Sequence, residues 1–198
     1  MSLGKSKMLS QGAASEPPYE WFAYVTDAGG QLTSVRINTL ETDFTYSAPT
    51  GYGPYGESNN KRYFDPNNTY GSEMAFFESN QRVTKTSGGF YSMRMSADSR
   101  SGSTTYFEFE FLNPDMTYGI TRNSTPAYPF DNAWYNNSIQ LYSYSTTYRP
   151  FTPTATSGGF SLSNNNVIGF ALDLVSSQHK VDIYKNNTLS LSVNLPMP

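Results

Sequence analysis

The sequence predicts an all-β protein: a two-sheet antiparallel, jelly-roll-like sandwich preceded by an extended N-terminal arm and a hairpin. Three observations carry this. Tyr106-Phe-Glu-Phe-Glu-Phe111 alternates without a break, Val167 to Leu174 is a short continuous apolar run, and no segment has the periodicity of an amphipathic helix of ten or more residues. Composition agrees, because only 15% of residues are charged while the chain holds 16 Tyr and 13 Phe among many Ser, Thr and Asn. Such a chain builds polar, aromatic surfaces on strands.

The elements follow in order. Residues 1–18 contain Lys5 and Lys7 with no acid before Glu16, lack the apolar core of a secretory signal, and end in Pro17-Pro18. We read them as a docking arm in which Leu3, Met8 and Leu9 supply apolar contacts and Lys5 and Lys7 flank them. Residues 19–45 read as a hairpin, Trp21 to Val25 turning through Asp27-Ala-Gly-Gly30 into Leu32 to Ile37. Residues 46–62 hold Tyr46-Ser-Ala-Pro-Thr-Gly-Tyr-Gly-Pro-Tyr-Gly56, which cannot propagate a helix or pair as a central strand, so they read as a linker.

Beyond the linker, strands are expected at Tyr91 to Met95, Tyr106 to Phe111, Ser138 to Tyr144, Val167 to Leu174, Val181 to Tyr184 and Leu189 to Leu195. Alternation puts Phe107, Phe109 and Phe111 on a core face and Tyr106, Glu108 and Glu110 on a wet or pocket-lining face. Asn186-Asn187 supplies a turn between the last two strands.

Composition also narrows the chemistry. The chain has no cysteine and one histidine, which removes thiol nucleophiles, disulfides and histidine-rich metal centres. A net charge of -3 offers no basic field for phosphates, and no apolar run is long enough to span a bilayer, so neither nucleic acid nor membrane is an expected partner. No cofactor or metal is expected. Asp65-Pro-Asn-Asn68, Asp131-Asn132 and Asn164-Asn-Asn166 carry oxygen atoms suited to Ca²⁺, but turns that satisfy their own backbone need the same residues.

Glu108 and Glu110 lie two apart on one strand face, the spacing of a glycosidase acid and nucleophile. A third acid after Glu110 is missing, and a polar face opposite a Phe face explains both residues without catalysis. His179, in Ser176-Ser-Gln-His-Lys180, reads as an exposed loop residue. More informative is the weakly charged middle segment with Tyr128, Phe130, Trp134, Tyr135, Tyr142, Tyr144, Tyr148 and Phe151 interleaved with Asn and Pro. Rings beside amide side chains give stacking faces and hydrogen bonds, and Trp134, Tyr135, Asn136 and Tyr148 are the candidate ligand-binding residues.

The run Asn166-Val-Ile-Gly-Phe-Ala-Leu-Asp-Leu174 followed by His179-Lys-Val-Asp-Ile-Tyr-Lys-Asn-Asn187 resembles the paired strands of the SPRY family. Phe64-Asp-Pro66, Lys85-Thr-Ser-Gly-Gly89, Tyr91-Ser-Met-Arg94, Thr105-Tyr-Phe-Glu-Phe109 and Tyr118-Gly-Ile-Thr121 resemble earlier pieces of that family in the same order. The resemblance covers residues 64–198, departs at Asn187 where the family turn has Gly, and skips residues 122–153. It implies a concanavalin-like sandwich that recognises protein or glycan without catalysis, of the kind found in bacteriophage virion proteins. The expected role is therefore a non-enzymatic virion protein of head-decoration or fibre type, docked by its arm on capsid or tail proteins and present as a homo-oligomer or symmetric array. The alternatives are a tail-fibre or soluble module binding a host-surface glycan or protein, and a concanavalin-fold glycoside hydrolase.

Overall fold

The structure, a computed structural model, describes residues 20–27, 34–55, 63–70, 74–86, 91–95, 99–100, 103–122, 137–152, 154–175 and 178–196. These residues form a sandwich of two eight-stranded sheets. The first sheet contains, in spatial order, β13 (Thr156–Ser157), β12 (Thr147–Pro150), β11 (Ser138–Tyr142), β10 (Thr117–Thr121), β1 (Glu20–Asp27), β7 (Tyr91–Met95) and β4 (Phe64–Tyr70), with β8 (Ser99–Arg100) beside β1. The second runs β16 (Thr188–Asn194), β15 (Lys180–Lys185), β14 (Asn166–Asp173), β9 (Thr104–Asn113), β2 (Ser34–Asn38), β6 (Arg82–Lys85) and β5 (Met74–Phe77). A two-residue strand, β3 (Gly53–Pro54), adds to β9 in parallel; the other pairings are antiparallel. Among the described residues the sole helical element is a 3₁₀ turn at Glu41–Asp43.

The all-β, two-sheet expectation holds, and so do the strands expected from Tyr91 onward. The hairpin expected over residues 19–45 does not form. β1 pairs with β10 and β7 in one sheet, whereas β2 pairs with β9 and β6 in the other. Both strands alternate, and each aims one set of side chains at the space between the sheets: Trp21, Ala23 and Val25 from β1, Val35 and Ile37 from β2. Crossing from one sheet to the other buries both sets in one core, which a two-stranded ribbon standing alone cannot do. Residues 20–27 and 34–38 are thus central strands of the sandwich.

The core is built around the β9 phenylalanines. Phe107 stacks on Phe170 of β14 with centroids 5.0 Å apart, and Phe109 meets Phe107, Phe170 and Tyr118 edge-on at 5.5, 5.7 and 6.1 Å. Tyr118 lies on β10, so this cluster ties the sheets together. Each such ring contributes about 1.5–3 kcal/mol by burial before entropy is subtracted.

The segment read as a linker is structured over residues 46–55. Tyr55 donates its backbone N–H to the Tyr106 carbonyl at 2.9 Å, its hydroxyl to the Trp21 carbonyl at 3.3 Å, and packs its ring on Phe107. Proline at position 54 is compatible with β3 because only two residues pair there. On the second face of β9, residues 44–46 cover Tyr106 and Glu108, which are 1% and 0% exposed, while Glu110 stays partly exposed. Phe44 packs edge-on against Tyr106 at 5.0 Å, and the Tyr106 ring occupies the space that a Cβ at Gly169 would need. The first sheet repeats the device, with Tyr24 beside Gly119 and its hydroxyl donating to the Ile139 carbonyl at 3.2 Å.

At the C-terminal hairpin, Asn186 and Asn187 both adopt positive φ, 47° and 65°, as the tight turn between β15 and β16 requires. The side chain of Asn186 also accepts the Val167 N–H at 2.9 Å. Asn tolerates the left-handed region, which is why the turn closes without glycine.

Candidate functional site

The two carboxylates of β9 have separate duties. Glu108 accepts backbone N–H bonds from Thr45 (2.7 Å) and Tyr46 (3.0 Å) and the Tyr106 hydroxyl proton at 3.0 Å. Burial pushes its carboxyl above the usual range, while Thr45, Tyr46, Tyr106 and Asn38 pull it the other way. Burial also raises the Tyr106 phenol, assisted by the Glu108 charge. Glu110 instead accepts from Arg36 at 2.6 Å, directly across from it on β2, and Arg36 also holds Glu78 at 2.6 Å. Glu78 is joined by Arg82 at 3.2 Å, and the Arg36 hydrogen bond lowers its carboxyl. A glycosidase pair must face one open cleft at about 5–9.5 Å. Here one member is sealed beneath residues 44–46 and the other is held by a guanidinium, so Glu108 and Glu110 form no such pair.

His179 is buried at 8% exposure, not an exposed loop residue. Its carbonyl accepts the Leu195 N–H at 2.8 Å, which extends the β15–β16 pairing by one residue beyond Lys180 and Asn194. The turn at residues 164–166 satisfies itself, the Asn166 amide oxygen accepting the Ser163 N–H at 3.0 Å. Among the described residues no three His, Asp or Glu side chains gather as metal ligands.

What the described surface does present is a groove of about 240 Å³ at the β11–β12 hairpin, lined by Tyr142, Tyr144, Ser145, Thr147, Arg149 and Ala155. Strand alternation places it. Ile139 and Leu141 point into the core, so Gln140 and Tyr142 lie on the other face of the sheet, Gln140 buried and Tyr142 half-buried, and the register sets Arg149 opposite Gln140. Arg149 is then diagonal to Tyr142, and its guanidinium lies 5.4 Å from that ring. Tyr142 and Tyr144 follow with centroids 5.6 Å apart and planes inclined by 47°. Tyr144 is 61% exposed.

The hairpin that carries these rings is braced from below. Buried Ser143 accepts the Met116 N–H through its hydroxyl at 2.8 Å, and its carbonyl accepts the Leu162 N–H at 2.6 Å. Ser145 and Thr147 share a hydroxyl hydrogen bond at 2.9 Å inside the turn. The result is a platform of two tyrosines, two hydroxyls and one cation on rigid backbone. Such a surface stacks on a flat apolar face and hydrogen-bonds around it. Its volume falls below the ~300 Å³ of the smaller drug-sized pockets, so it suits one ring of a ligand or one side chain of a partner.

Of the residues singled out in the sequence, Tyr148 sits on β12 opposite Leu141, half-buried and packed on the core instead of lining the groove. Phe151 likewise packs inward, edge-on to Trp21 at 5.6 Å. Trp134, Tyr135 and Asn136 lie outside the described residues, as do Leu3, Lys5, Lys7, Met8 and Leu9. Of the groove residues, Tyr142 and Tyr144 belong to the aromatic segment singled out in the sequence but not to its four candidate ligand residues, and Arg149 belongs to neither. Period-two counting from Ile139 and Leu141 gives the outward direction of both tyrosines, but Arg149 joins them only through the hairpin register. No protein-family model, curated protein or solved structure matches this chain.

Proposed function

We propose that the protein is a non-enzymatic structural protein of a bacteriophage virion, of head-decoration or fibre type, which docks through residues 1–18 and displays the sandwich outward. The virion assignment rests on the SPRY-like strand sequences and on the arm composition. The observation that carries the non-enzymatic part is the fate of the carboxylates: Glu108 is sealed and hydrogen-bonded, and Glu110 is engaged by Arg36. Deleting residues 1–18 should leave the head folded, with an unchanged β-sheet circular dichroism spectrum, while abolishing co-sedimentation with particles. Normal incorporation of the truncated chain would refute the arm assignment.

A second reading, recognition of a host-surface glycan or protein, is favoured by the tyrosine groove. Tyr144 is exposed, so Tyr144→Ala should leave the unfolding free energy within ~0.5 kcal/mol of wild type. The same change should abolish any glycan-array signal of the full chain. A signal that survives Tyr144→Ala and Arg149→Ala together would remove the groove from consideration.

A further inference from the structure

The groove at the β11–β12 hairpin has a charge character as well as a shape. Its lining includes one cation, Arg149, and no acid. The Arg149 guanidinium lies over the Tyr142 ring, 5.4 Å from its centroid. Stacking uses the flat face of a guanidinium and keeps its N–H groups in the plane, so one side chain can rest on a ring and grip an anion at its edge. Directly opposite Arg149, on the same face of the sheet, Gln140 is 1% exposed, and its NH₂ has no hydrogen-bond partner among the described residues. Donor polarity is thus gathered at the Arg149 end of the groove.

The turn contributes a further donor. Ser145 and Thr147 share one hydroxyl hydrogen bond, and Ser145 Oγ also accepts the Thr147 N–H at 3.2 Å. Two hydroxyls hold two protons and one is used between them, so the pair keeps one O–H for a ligand oxygen. Tyr144, exposed and inclined by 47° to Tyr142, supplies a ring face.

We propose that the groove takes a carboxylate-bearing sugar ring, a uronic or sialic acid residue, with its carboxylate on Arg149, a ring oxygen on the Ser145–Thr147 pair and its C–H face on Tyr144. This rests on the reading of the groove as a recognition site. The ligand class follows from matching. A sugar ring joins an apolar C–H face, which stacks on an aromatic ring, to hydroxyls around its edge. One guanidinium balances one negative charge, and its planar fork fits a carboxylate through two parallel hydrogen bonds. A phosphate monoester, with up to about two charges, would be left partly unbalanced. The chain as a whole carries a charge of -3, so the overall field does not draw an anion in, and the fork must recognise it at short range.

An array read with the full chain tests this, with glycans ending in glucuronic acid or N-acetylneuraminic acid beside the same glycans after reduction of the carboxyl to an alcohol. Wild type should bind the acids, and reduction should weaken binding about tenfold or more, the effect of losing a charged hydrogen bond. Arg149→Gln should remove the preference for the acid, and Tyr144→Ala should remove binding to both forms. Reduction of the ligand needs no variant, so it reads the carboxylate contact even where Arg149→Gln does not fold. Equal binding of acid and reduced forms, lost in Tyr144→Ala, would overturn the carboxylate assignment and keep the groove as a recognition site. Acid-selective binding that survives both substitutions would remove the groove as well. Failure to bind any of the carboxylated glycans, or binding to sulfated or phosphorylated sugars in their place, would also overturn the proposal.

Discussion

Replacing Glu108 by Gln should destabilise the protein at neutral pH, although the two side chains have nearly the same shape. The carboxylate accepts the Thr45 N–H on one oxygen and the Tyr46 N–H and Tyr106 hydroxyl on the other, and Asn38 is a further side-chain partner. Glutamine offers one acceptor oxygen and one NH₂, so in either orientation the NH₂ is set against a backbone N–H. Leaving a buried donor unsatisfied costs about 1–3 kcal/mol, and relief of the buried charge acts in the opposite sense. A net loss of about 2 kcal/mol would lower the melting temperature of a chain this size by about 4–8 °C. Glu110→Gln is the control. It disturbs a partly exposed ion pair with Arg36 and should cost about 0–1 kcal/mol. Thermal unfolding followed by circular dichroism distinguishes the two, and an unchanged or raised melting temperature for Glu108→Gln would refute the unsatisfied-donor argument. The pH dependence gives a second reading. Because burial raises the Glu108 carboxyl above 4.5, its contribution to stability is present at low pH and is lost as pH rises through the folded-state value. Glutamine does not titrate, so the gap between wild type and variant should widen on acidification from pH 7 toward the unfolded value. A narrowing gap would mean that the donors, not burial, dominate.

Three further outcomes follow from packing and backbone geometry. Phe109→Ala, at the centre of the aromatic cluster, should cost about 3–5 kcal/mol in denaturant unfolding; a loss below 1 kcal/mol would contradict its bridging position. Asn187→Val should cost about 1–2 kcal/mol because a β-branched residue resists positive φ, whereas Asn187→Gly should be neutral or slightly stabilising by the same assay. Gly119→Ala drives a methyl into the Ile139 carbonyl of the paired strand, so backbone must move; soluble yield and melting temperature should both fall, by more than for Ala at the open position Gly51.

The sequence by itself determined several strands of the second half of the chain, β9, β11, β14, β15 and β16, though not β12 or β13. Alternation in Tyr106–Phe111 fixes which side chains share a face, the apolar run at Val167–Leu174 marks a strand buried on both sides, and Asn186-Asn187 marks the turn, all from contacts within a few residues. These are local rules of period and backbone conformation, and they hold wherever the strand is placed.

Tertiary structure decided what lies across from each strand. Nothing in Trp21–Val25 or Leu32–Ile37 reveals that they belong to opposite sheets, because the choice depends on β10 and β9, which lie far along the chain from β1 and β2. The second face of β9 reads as wet because Tyr106, Glu108 and Glu110 are polar; at Tyr106 and Glu108 it is dry because residues 44–46 return to cover them and Tyr106 finds room over Gly169, while Glu110 stays partly exposed. Tyr142 and Tyr144 were visible as aromatic residues, but their groove exists only because the β11–β12 register delivers Arg149 beside them. Side-chain period is a property of one strand, whereas pairing and coverage are properties of several, and it is the latter that turn polar and aromatic residues into a core, a seal or a site.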